Sequence, residues 1–333
     1  MEPILTIGIT SYKRVEELKR CIQSIQTKYV DDIEILISED HSPLSHEIQK
    51  VVCEIKKGSK YNISFSVNEK NLGYDMNLGM IIQKSRGKYI FFLSDDDMVY
   101  TDSLDEIISL LKKNRNYGVV YAPFVYKNTG KKDRNREKNF EIAPGIKNVK
   151  RYIYDSILFS GLVFRREYIQ KIDASRFKNM NYFQVYLFMT MLYQYGGYYV
   201  KNPSILCVGD GENAYGIAES SGGNSKIADR TNIKSNLEFN KTLFEVIRMF
   251  DKDHDTDVFS DFEKQYTLHS YSGLSLARER GIDFFKEYWA ILNSLDIHLG
   301  FPAKIYYILL LLGGKKNIDQ LLSVFRRRIK KED

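Results

Sequence analysis

The 333-residue sequence has few of the residues that hold small disulfide-linked or metal-binding domains together. Its three cysteines, Cys21, Cys53 and Cys207, show no paired spacing, and its five histidines are equally scattered. This pattern excludes a disulfide framework and a zinc knuckle, and it favours the interior of the cell as the compartment. The chain is long enough to bury one large core or two modest ones without such links.

Long apolar runs and a leader sequence are also lacking. No uninterrupted apolar run reaches the roughly 20 residues that a membrane-spanning helix needs. Met1-Glu2-Pro3 leads directly into a predicted strand, so no signal sequence is expected.

The positive charge is too localised for a nucleic-acid-binding surface. The formal net charge is +6, and basic residues concentrate in two short clusters, residues 127–138 and 326–331. A nucleic-acid footprint is usually broader and carries the domain to a higher pI. We therefore expect no nucleic-acid partner, and we interpret the first cluster as a solvated loop.

The first half of the chain alternates between predicted strands and helices. Apolar spacing predicts strands over 4–10, 33–38, 62–67, 89–93 and 118–125, and helices over 15–26, 45–56, 73–84 and 103–113. This βαβα order predicts an α/β fold with a mostly parallel sheet and helices on both faces.

The second half changes character. A strand is predicted over 157–165, and a helix over 182–195 that ends at Gly196. Residues 207–225 are rich in Gly, Ser and Asn, which predicts a loop over a site or, alternatively, a linker. Helical spacing then dominates over 232–250, 257–280 and 282–295, followed by an apolar run over 301–312 and a basic amphipathic helix.

The most informative segment is the apolar strand over 89–93, which leads into three consecutive carboxylates. Asp95, Asp96 and Asp97 follow it at the sheet edge where open α/β folds bind ligands. Adjacent carboxylates repel one another, and a cation would relieve that repulsion. Their hard oxygen atoms suit Mg²⁺ or Mn²⁺ bridged to a phosphate. The alternative is a solvated acidic turn that caps the helix predicted near Asp102.

Two further predicted strands end at the same edge. The first leads into Thr10-Ser11-Tyr12-Lys13-Arg14, and the second into Glu39-Asp40-His41-Ser42. Hydroxyl groups, an aromatic ring, basic residues and carboxylates from three strands therefore converge. A ring beside a carboxylate suits a nucleobase, which stacks on the ring while the carboxylate accepts a base N–H. Taken singly, each turn is also explained as a helix cap.

In this order and spacing the residues resemble family 2 glycosyltransferases of the GT-A fold. The resemblance lies in Ile9-Thr10-Ser11-Tyr12, Ile37-Ser38-Glu39-Asp40, Asn71-Leu72-Gly73, Asn77-Leu78-Gly79, Gly87-Lys88-Tyr89 and the acidic triplet. The form Leu93-Ser94-Asp95-Asp96-Asp97 is similar to the abequosyltransferase-like branch, which builds bacterial surface polysaccharides. The match is good over residues 1–125 and looser as far as Gly197.

The resemblance implies a Rossmann-like GT-A nucleotide-sugar-binding and catalytic domain over 1–225 and a helical region over 226–333. It implies an inverting, Mn²⁺- or Mg²⁺-dependent transfer of sugar from a nucleotide-diphosphate donor to a saccharide or polyprenyl-linked saccharide. The enzyme would be cytoplasmic or peripheral on the inner face of the cell membrane. The nucleotide-binding residues would be Thr10, Tyr12, Arg14, Asp40, Asn71 and Asp95. Asp96 would bind the cation that bridges the diphosphate, and Asp97 would support it.

One feature that the resemblance implies is missing. Inverting members carry a carboxylate general base about a dozen residues before a Gly that ends a helix, and that spacing leads here to Gln184 and Val185. No acid occurs from residue 179 to 197. The remaining base candidates are Asp155, Asp173, Asp210 and Glu212. Because the usual base is missing, the alternative function is a non-catalytic carbohydrate- or nucleotide-binding protein on a GT-A scaffold.

Residues 305–312 form an apolar run that is too short to span a bilayer. Tyr306 and Tyr307 are typical of membrane interfaces, and residues 326–331 would face anionic lipid headgroups. We interpret this run as a peripheral membrane contact. The alternative is a helix in the core of the C-terminal region, or an oligomer contact.

Overall fold

The computed structural model describes residues 2–100, 102–113, 116–208 and 233–332, with side chains outside 233–239 and 321–332. The strands are β1 (Leu5–Ser11), β2 (Ile33–Glu39), β3 (Asn62–Val67), β4 (Tyr89–Ser94), β5 (Met98–Val99), β6 (Val119–Tyr121), β7 (Phe124–Tyr126), β8 (Phe140–Ile142), β9 (Val163–Arg165), β10 (Gly197–Tyr199) and β11 (Ile205–Cys207). The helices are α1 (Val15–Gln23), α2 (Ser45–Gly58), α3 (Tyr74–Lys84), α4 (Ser103–Lys112), α5 (Ile146–Tyr152), α6 (Arg166–Ile169), α7 (Phe183–Tyr195), α8 (Ile233–His254), α9 (Phe259–Glu279), α10 (Ile282–Ser294) and α11 (Phe301–Glu332).

Eight strands form one mixed, mostly parallel sheet in the order β3-β2-β1-β4-β9-β6-β10-β8. β3, β2, β1 and β4 are parallel, and so are β6 and β10. β9 is antiparallel to both of its neighbours, and β8 is antiparallel to β10. A smaller sheet has the order β5-β11-β7. The predicted α/β class, with helices in the C-terminal region, is confirmed.

The central strands are buried along their whole length because both of their faces are covered by helices. Every residue of β1, β2 and β4 is buried. On one face, α1, α2 and α4 contribute to a single apolar cluster with these strands. On the other face, α3 approaches so closely that a Cβ atom on Gly8 would lie 2.3 Å from the side chain of Ile81.

Two predicted strands are wrong in extent. The strand expected over 118–125 is divided into β6 and β7, which belong to different sheets and are separated by Ala122 and Pro123. Proline has no N–H to donate and cannot continue the ladder. Of the strand expected over 157–165, only β9 forms, since Gly161 has a φ of 89° and turns the chain just before it.

Contacts divide the chain into two units, Met1–Ala228 and Asp229–Asp333. The boundary expected between residues 225 and 226 lies outside the described residues and stays a prediction. In the second unit, α9, α10 and α11 share an apolar cluster built around residues such as Leu274, Phe285 and Leu310. Gly314, with a φ of 69°, interrupts α11. None of the described helices combines the length and apolar character needed to cross a membrane.

Candidate active site

The carboxyl ends of β1, β2 and β4 lie side by side at one edge of the main sheet. Thr10 of β1 is in register with Ser38 of β2 and with Ser94 of β4. The segments that follow, residues 11–14, 39–42 and 95–97, therefore meet at this edge, which we call the polar edge. The structure thus brings together the three turns that the sequence singled out.

One guanidinium group balances two of the three carboxylates. Arg14 Nη1 lies 2.8 Å from Asp95 Oδ1 and 3.1 Å from Asp96 Oδ2. The backbone N–H of Tyr12 donates to the other oxygen of Asp95 at 3.1 Å. Burial raises the pKa of Asp95 to about 6, although Arg14 acts in the opposite direction. Part of the repulsion that we expected a divalent cation to relieve is therefore relieved by Arg14.

Asp96 is the most accessible member of the triplet. Its side chain is 15% exposed, against 3% for Asp95. The Ser94 hydroxyl donates a hydrogen bond to the Asp96 carboxylate, and Arg20 Nη2 donates to the Asp96 backbone oxygen at 3.0 Å. The Asp96 carboxylate is thus held in place at the polar edge while it remains partly open to solvent.

Asp97, which follows β4 in the chain, is buried beside the end of β11. The backbone N–H of Val208 donates to Asp97 Oδ1 at 3.3 Å, and the side chains of Ser160 and Cys207 also bond to this carboxylate. Burial raises the pKa of Asp97 to about 6, and the negative charge of Asp96 adds to the rise. Asp97 therefore connects the small sheet to the polar edge.

Asp40, predicted to bind the nucleobase, holds a turn of the chain. Its Oδ1 accepts hydrogen bonds from Asn68 Nδ2 and the Leu72 backbone N–H, both at 2.9 Å, and its Oδ2 accepts from the Gly73 N–H at 2.8 Å. Burial raises the pKa of this carboxyl. The turn carries Asn71, whose Oδ1 accepts from the same Gly73 N–H at 3.0 Å. Asp40 and Asn71 are therefore neighbours in one hydrogen-bonded turn.

Tyr12 and Thr10 lie at the end of β1, next to Asp95. The Tyr12 ring is partly exposed and has Lys13 Nζ 5.0 Å from its centroid, while Thr10 is buried. The hydroxyl groups of Ser11 and Ser38 are buried here and find no hydrogen-bond partner among the described residues. Uncompensated polar groups of this kind are costly and concentrate at sites that take a ligand.

A second arginine–aspartate cluster lies at the same edge of the sheet. β6 is parallel to β4 because both are antiparallel to β9, so Tyr121 of β6 and Tyr199 of β10 end at this edge. Asp155 Oδ1 lies 3.0 Å from Arg134 Nε, and Asp155 Oδ2 lies 2.6 Å from Arg136 Nη1. The Arg136 guanidinium lies 4.8 Å from the centroid of the Tyr199 ring.

Gln184 occupies the first turn of α7, where the resemblance implies a general base. Its Oε1 accepts a hydrogen bond from the Tyr74 hydroxyl at 3.0 Å, and its Nε2 donates to the Ile157 backbone oxygen at 3.2 Å. Gln184 is 2% exposed and joins the start of α3 to the start of α7. Its role in the structure is to link these two helices.

Residues 6–173 match the family model described as Glycosyl transferase family 2. The chain belongs to this family. The resemblance that the sequence motifs indicated is thereby confirmed at the level of the family.

Among curated relatives, this family 2 glycosyltransferase is 24% identical to the GalNAc(5)-diNAcBac-PP-undecaprenol beta-1,3-glucosyltransferase of Campylobacter jejuni. That match covers 97% of this chain and 98% of the relative. Other relatives, among them an uncharacterized glycosyltransferase of Methanocaldococcus jannaschii, match over 34 to 43% of this chain. The matched parts span only 19 to 41% of the length of those proteins.

Solved structures confirm the GT-A-like fold. Staphylococcus aureus TarS 1–349 in complex with UDP-GlcNAc superposes with a TM-score of 0.60 at 11% identity, over 95% of this chain and 91% of that one. The mannosyltransferase PcManGT from Pyrobaculum calidifontis, in complex with GDP-Man and Mn²⁺, gives 0.51 at 12% identity, over 95% and 89%. At these identities the likeness establishes the fold, and the ligands belong to those proteins.

The polar edge fits a divalent cation that is held jointly with a substrate. Within the described residues, no three His, Cys, Asp or Glu side chains converge on a point that could hold a metal ion. Mg²⁺ and similar cations are often bound by one or two protein carboxylates, with phosphate oxygens of the substrate completing the shell. Asp96 offers a hard, partly accessible carboxylate of this type, and Asp97 is its neighbour in the chain. The donor chemistry therefore fits the expected cation.

The four base candidates have different outcomes. Both oxygens of Asp155 are occupied by guanidinium groups. Asp173 is exposed and caps the 3-10 helix Ala174–Phe177, where it accepts hydrogen bonds from the N–H and hydroxyl of Ser175. Asp210 and Glu212 lie outside the described residues. The geometry therefore gives Asp155 and Asp173 structural partners, and the identity of the base stays a prediction.

Two features of the structure went unrecognised in the sequence. The first is the bridging position of Arg14, for which a signal existed: a basic residue three positions beyond a strand that ends beside the triplet. The second is Asp75, whose oxygens accept from the backbone N–H groups of Asn181 and Phe183 at 2.8 and 3.0 Å. No sequence pattern indicated Asp75, since its partners lie more than a hundred residues away.

Proposed function

We propose that this family 2 glycosyltransferase transfers a sugar from a nucleoside-diphosphate donor, with a divalent cation, to a saccharide acceptor in bacterial polysaccharide synthesis. The observation that carries the proposal is the polar edge. There, Tyr12 and Asp95 from two strands adjoin the partly accessible carboxylate of Asp96. The leaving nucleoside diphosphate accumulates negative charge, and a cation bound with its phosphates stabilises that charge.

In the proposed complex the nucleoside half of the donor lies against Thr10, Tyr12, Asp40 and Asn71. The Tyr12 ring offers a stacking surface, and Asp95 reaches the ribose. Arg14 keeps Asp95 and Asp96 in place, since its guanidinium bridges them. Asp96, supported by Asp97, would hold the cation.

The acceptor class is proposed as a polyprenyl-linked saccharide. The support is the Campylobacter jejuni relative, whose name specifies a diphosphoundecaprenol-linked glycan and whose whole length this chain matches. The similarity of residues 93–97 to the abequosyltransferase-like branch belongs to the same proposal. An acceptor on a lipid carrier also agrees with a cytoplasmic protein that is peripheral on the inner face of the cell membrane.

The base of the proposed inverting reaction is sought among Asp210 and Glu212 before Asp155 and Asp173. A carboxylate must be free to accept the proton of the acceptor hydroxyl. Asp155 would have to give up a guanidinium partner to do so, and Asp173 would have to give up its capping bonds. Neutral Gln184 is the specific observation that favours the second candidate function, a binding protein that performs no transfer.

Thermal unfolding with a panel of UDP-, GDP-, CDP- and TDP-sugars, with and without Mn²⁺, tests the proposal. Ligand at a hundredfold excess over Kd stabilises the folded state by about 2.7 kcal/mol. In a protein of this size that corresponds to a rise in Tm of about 4 °C. We expect one donor to give this rise only with Mn²⁺, accompanied by slow release of nucleoside diphosphate without acceptor.

Two results would count against transfer. If no nucleotide sugar raises the Tm, the polar edge is not a donor site. If one raises the Tm but no nucleoside diphosphate is ever released, with or without lipid-linked acceptor, the protein is the binding protein of the alternative.

A further inference from the structure

The first segment of α11, residues 301–313, presents two apolar faces. The inner face packs in the second unit: Leu310 is fully buried, Tyr306 contacts Tyr271, and Tyr307 stacks on Trp289 with ring centroids 4.5 Å apart. The outer face is exposed to solvent. Its residues and exposed fractions are Phe301 at 74%, Ile305 at 37%, Ile308 at 52% and Leu312 at 81%.

These four residues form one continuous stripe, which we call the α11 stripe. They follow one another at intervals of four, three and four, which places them on one side of a helix. The backbone N–H of Gly300 donates to Thr267 Oγ1, and Arg278 Nε donates to the Leu310 oxygen at 3.0 Å, so the segment lies along α9. The stripe occupies the side of the segment away from this contact.

The position of the tyrosines corrects one expectation from the sequence. Tyr306 and Tyr307 were expected at a membrane interface, but both rings pack against aromatic side chains of α9 and α10. The run over 305–312 is therefore core on one side and exposed on the other. The outer, exposed side of this helix is therefore the surface that could contact a membrane.

The charged residues that flank the stripe in the sequence are mainly basic. No Asp or Glu occurs between Asp296 and Asp319. Of the three lysines in that interval, Lys315 pairs with Glu279 at 2.8 Å, and Lys304 and Lys316 are exposed. Residues 301–333 contain eight Lys and Arg against three Asp and Glu, so they carry +5 of the net charge of +6 of the whole chain. An apolar stripe beside basic residues complements a surface that is apolar below and anionic above.

We propose that the α11 stripe is a lipid-binding surface, on which the protein rests against an anionic membrane with this helix in the interfacial plane. At 1.5 Å per residue the segment is about 20 Å long, too short to cross a bilayer but suited to lie on one. A second copy of the chain is a poorer occupant. Four side chains are few against the roughly 20 residues that each partner contributes to a stable interface.

The inference deepens the proposed use of a lipid-linked acceptor, since it brings the enzyme to the surface that carries such an acceptor. Its test measures vesicle binding alone and needs neither donor nor acceptor. A failure of the lipid-binding proposal is therefore distinguishable from a failure of the proposed transfer, because transfer is measured by donor binding and nucleotide release.

The experiment is co-sedimentation of the full chain with vesicles of phosphatidylcholine, with and without phosphatidylglycerol. The test variant is Ile308→Glu/Leu312→Glu, and the control is Leu276→Glu. Leu276 is 59% exposed on α9 but lies on the opposite side of that helix from Arg278, which contacts α11. Circular dichroism and thermal unfolding confirm that each variant is folded.

We expect wild type and Leu276→Glu to sediment with anionic vesicles and to be released by high salt. The double variant should bind at least about tenfold more weakly, because two large apolar side chains no longer enter the lipid. Three results would overturn the proposal. The first is that the wild type does not sediment with anionic vesicles at low salt. The second is that the double variant binds as well as the wild type. The third is that the substitutions abolish a dimer of the wild type while vesicle binding stays the same.

Discussion

The two arginine–aspartate clusters at the polar edge differ in their balance of charge. At the ends of β1 and β4, one guanidinium, that of Arg14, bridges two carboxylates, and a third carboxylate follows directly in the chain. Near the ends of β6 and β10, Arg134 and Arg136 hold the carboxylate of Asp155, and Arg134 Nη2 also lies 2.8 Å from Asp133 Oδ2, so two guanidinium groups meet two carboxylates. The first arrangement leaves negative charge that a divalent cation can complement, whereas the second is already neutralised.

The difference separates two uses of the same side chain. A carboxylate in excess over its arginines is available to a metal ion, and a carboxylate whose charge is matched by its arginines is fixed in the fold. Asp96 belongs to the first kind, and Asp155 to the second. Sequence spacing alone treats both as candidate functional acids.

The largest expected effects come from changing the base candidates to amides. We expect Asp210→Asn or Glu212→Gln to lower the rate of transfer about a thousandfold while donor affinity and the free energy of unfolding stay nearly constant. Asp155→Asn should instead lower the free energy of unfolding by about 3 kcal/mol, because Arg136 loses the carboxylate that it holds and Arg134 keeps Asp133 alone of its two carboxylate partners. Turnover, donor titration and urea denaturation of each variant provide the comparison.

Asp173→Asn is the matched control, since asparagine also caps a helix and the site is exposed. A stable Asp155→Asn protein that has lost transfer but not donor affinity would reverse the assignment and make Asp155 the base. Full activity in all four variants would place the base outside these candidates.

The next largest effect concerns the cluster with excess negative charge. Asp96→Asn should weaken Mn²⁺-dependent donor binding about a hundredfold, since the amide cannot replace a charged ligand of a hard cation. Isothermal titration with and without Mn²⁺ measures this loss. Asp102→Asn, an exposed acid just beyond the triplet, serves as the control and should bind as the wild type does. Unchanged Mn²⁺-dependent affinity in Asp96→Asn would remove it from the metal site.

Local sequence patterns were sufficient for the fold of the first unit and for the polar edge. The bounds of β3 were predicted to the residue, and the triplet after β4 was placed at the correct edge because parallel strands share their ends. The division of the strand over 118–125 was missed although Pro123 signalled it. The partners of Asp155 and Gln184 were beyond prediction, since they come from other segments of the chain whose relative positions depend on tertiary packing.

The same limit applies to α11. Its helical spacing was readable, but the pattern of residues 301–312 is apolar nearly all round, so no single face could be assigned. Only the packing of Tyr306 and Tyr307 against α9 and α10 shows which side is core. The balance of charge at the polar edge could not be predicted from the sequence for a similar reason, since it depends on which arginine contacts which carboxylate.

The smallest expected effect concerns Asp75, a buried carboxylate whose hydrogen-bond donors are backbone N–H groups rather than arginines. Burial raises its pKa from 3.8 to about 6, and the hydrogen bonds only partly oppose this. The folded protein then binds a proton more readily than the unfolded chain between these values, so stability should rise as the pH falls from 7 to 5. We expect a gain of about 1 kcal/mol relative to Asp75→Asn, measured by urea denaturation at each pH. Parallel pH profiles for the two proteins would show that the backbone N–H donors offset the effect of burial and keep the Asp75 carboxylate ionised.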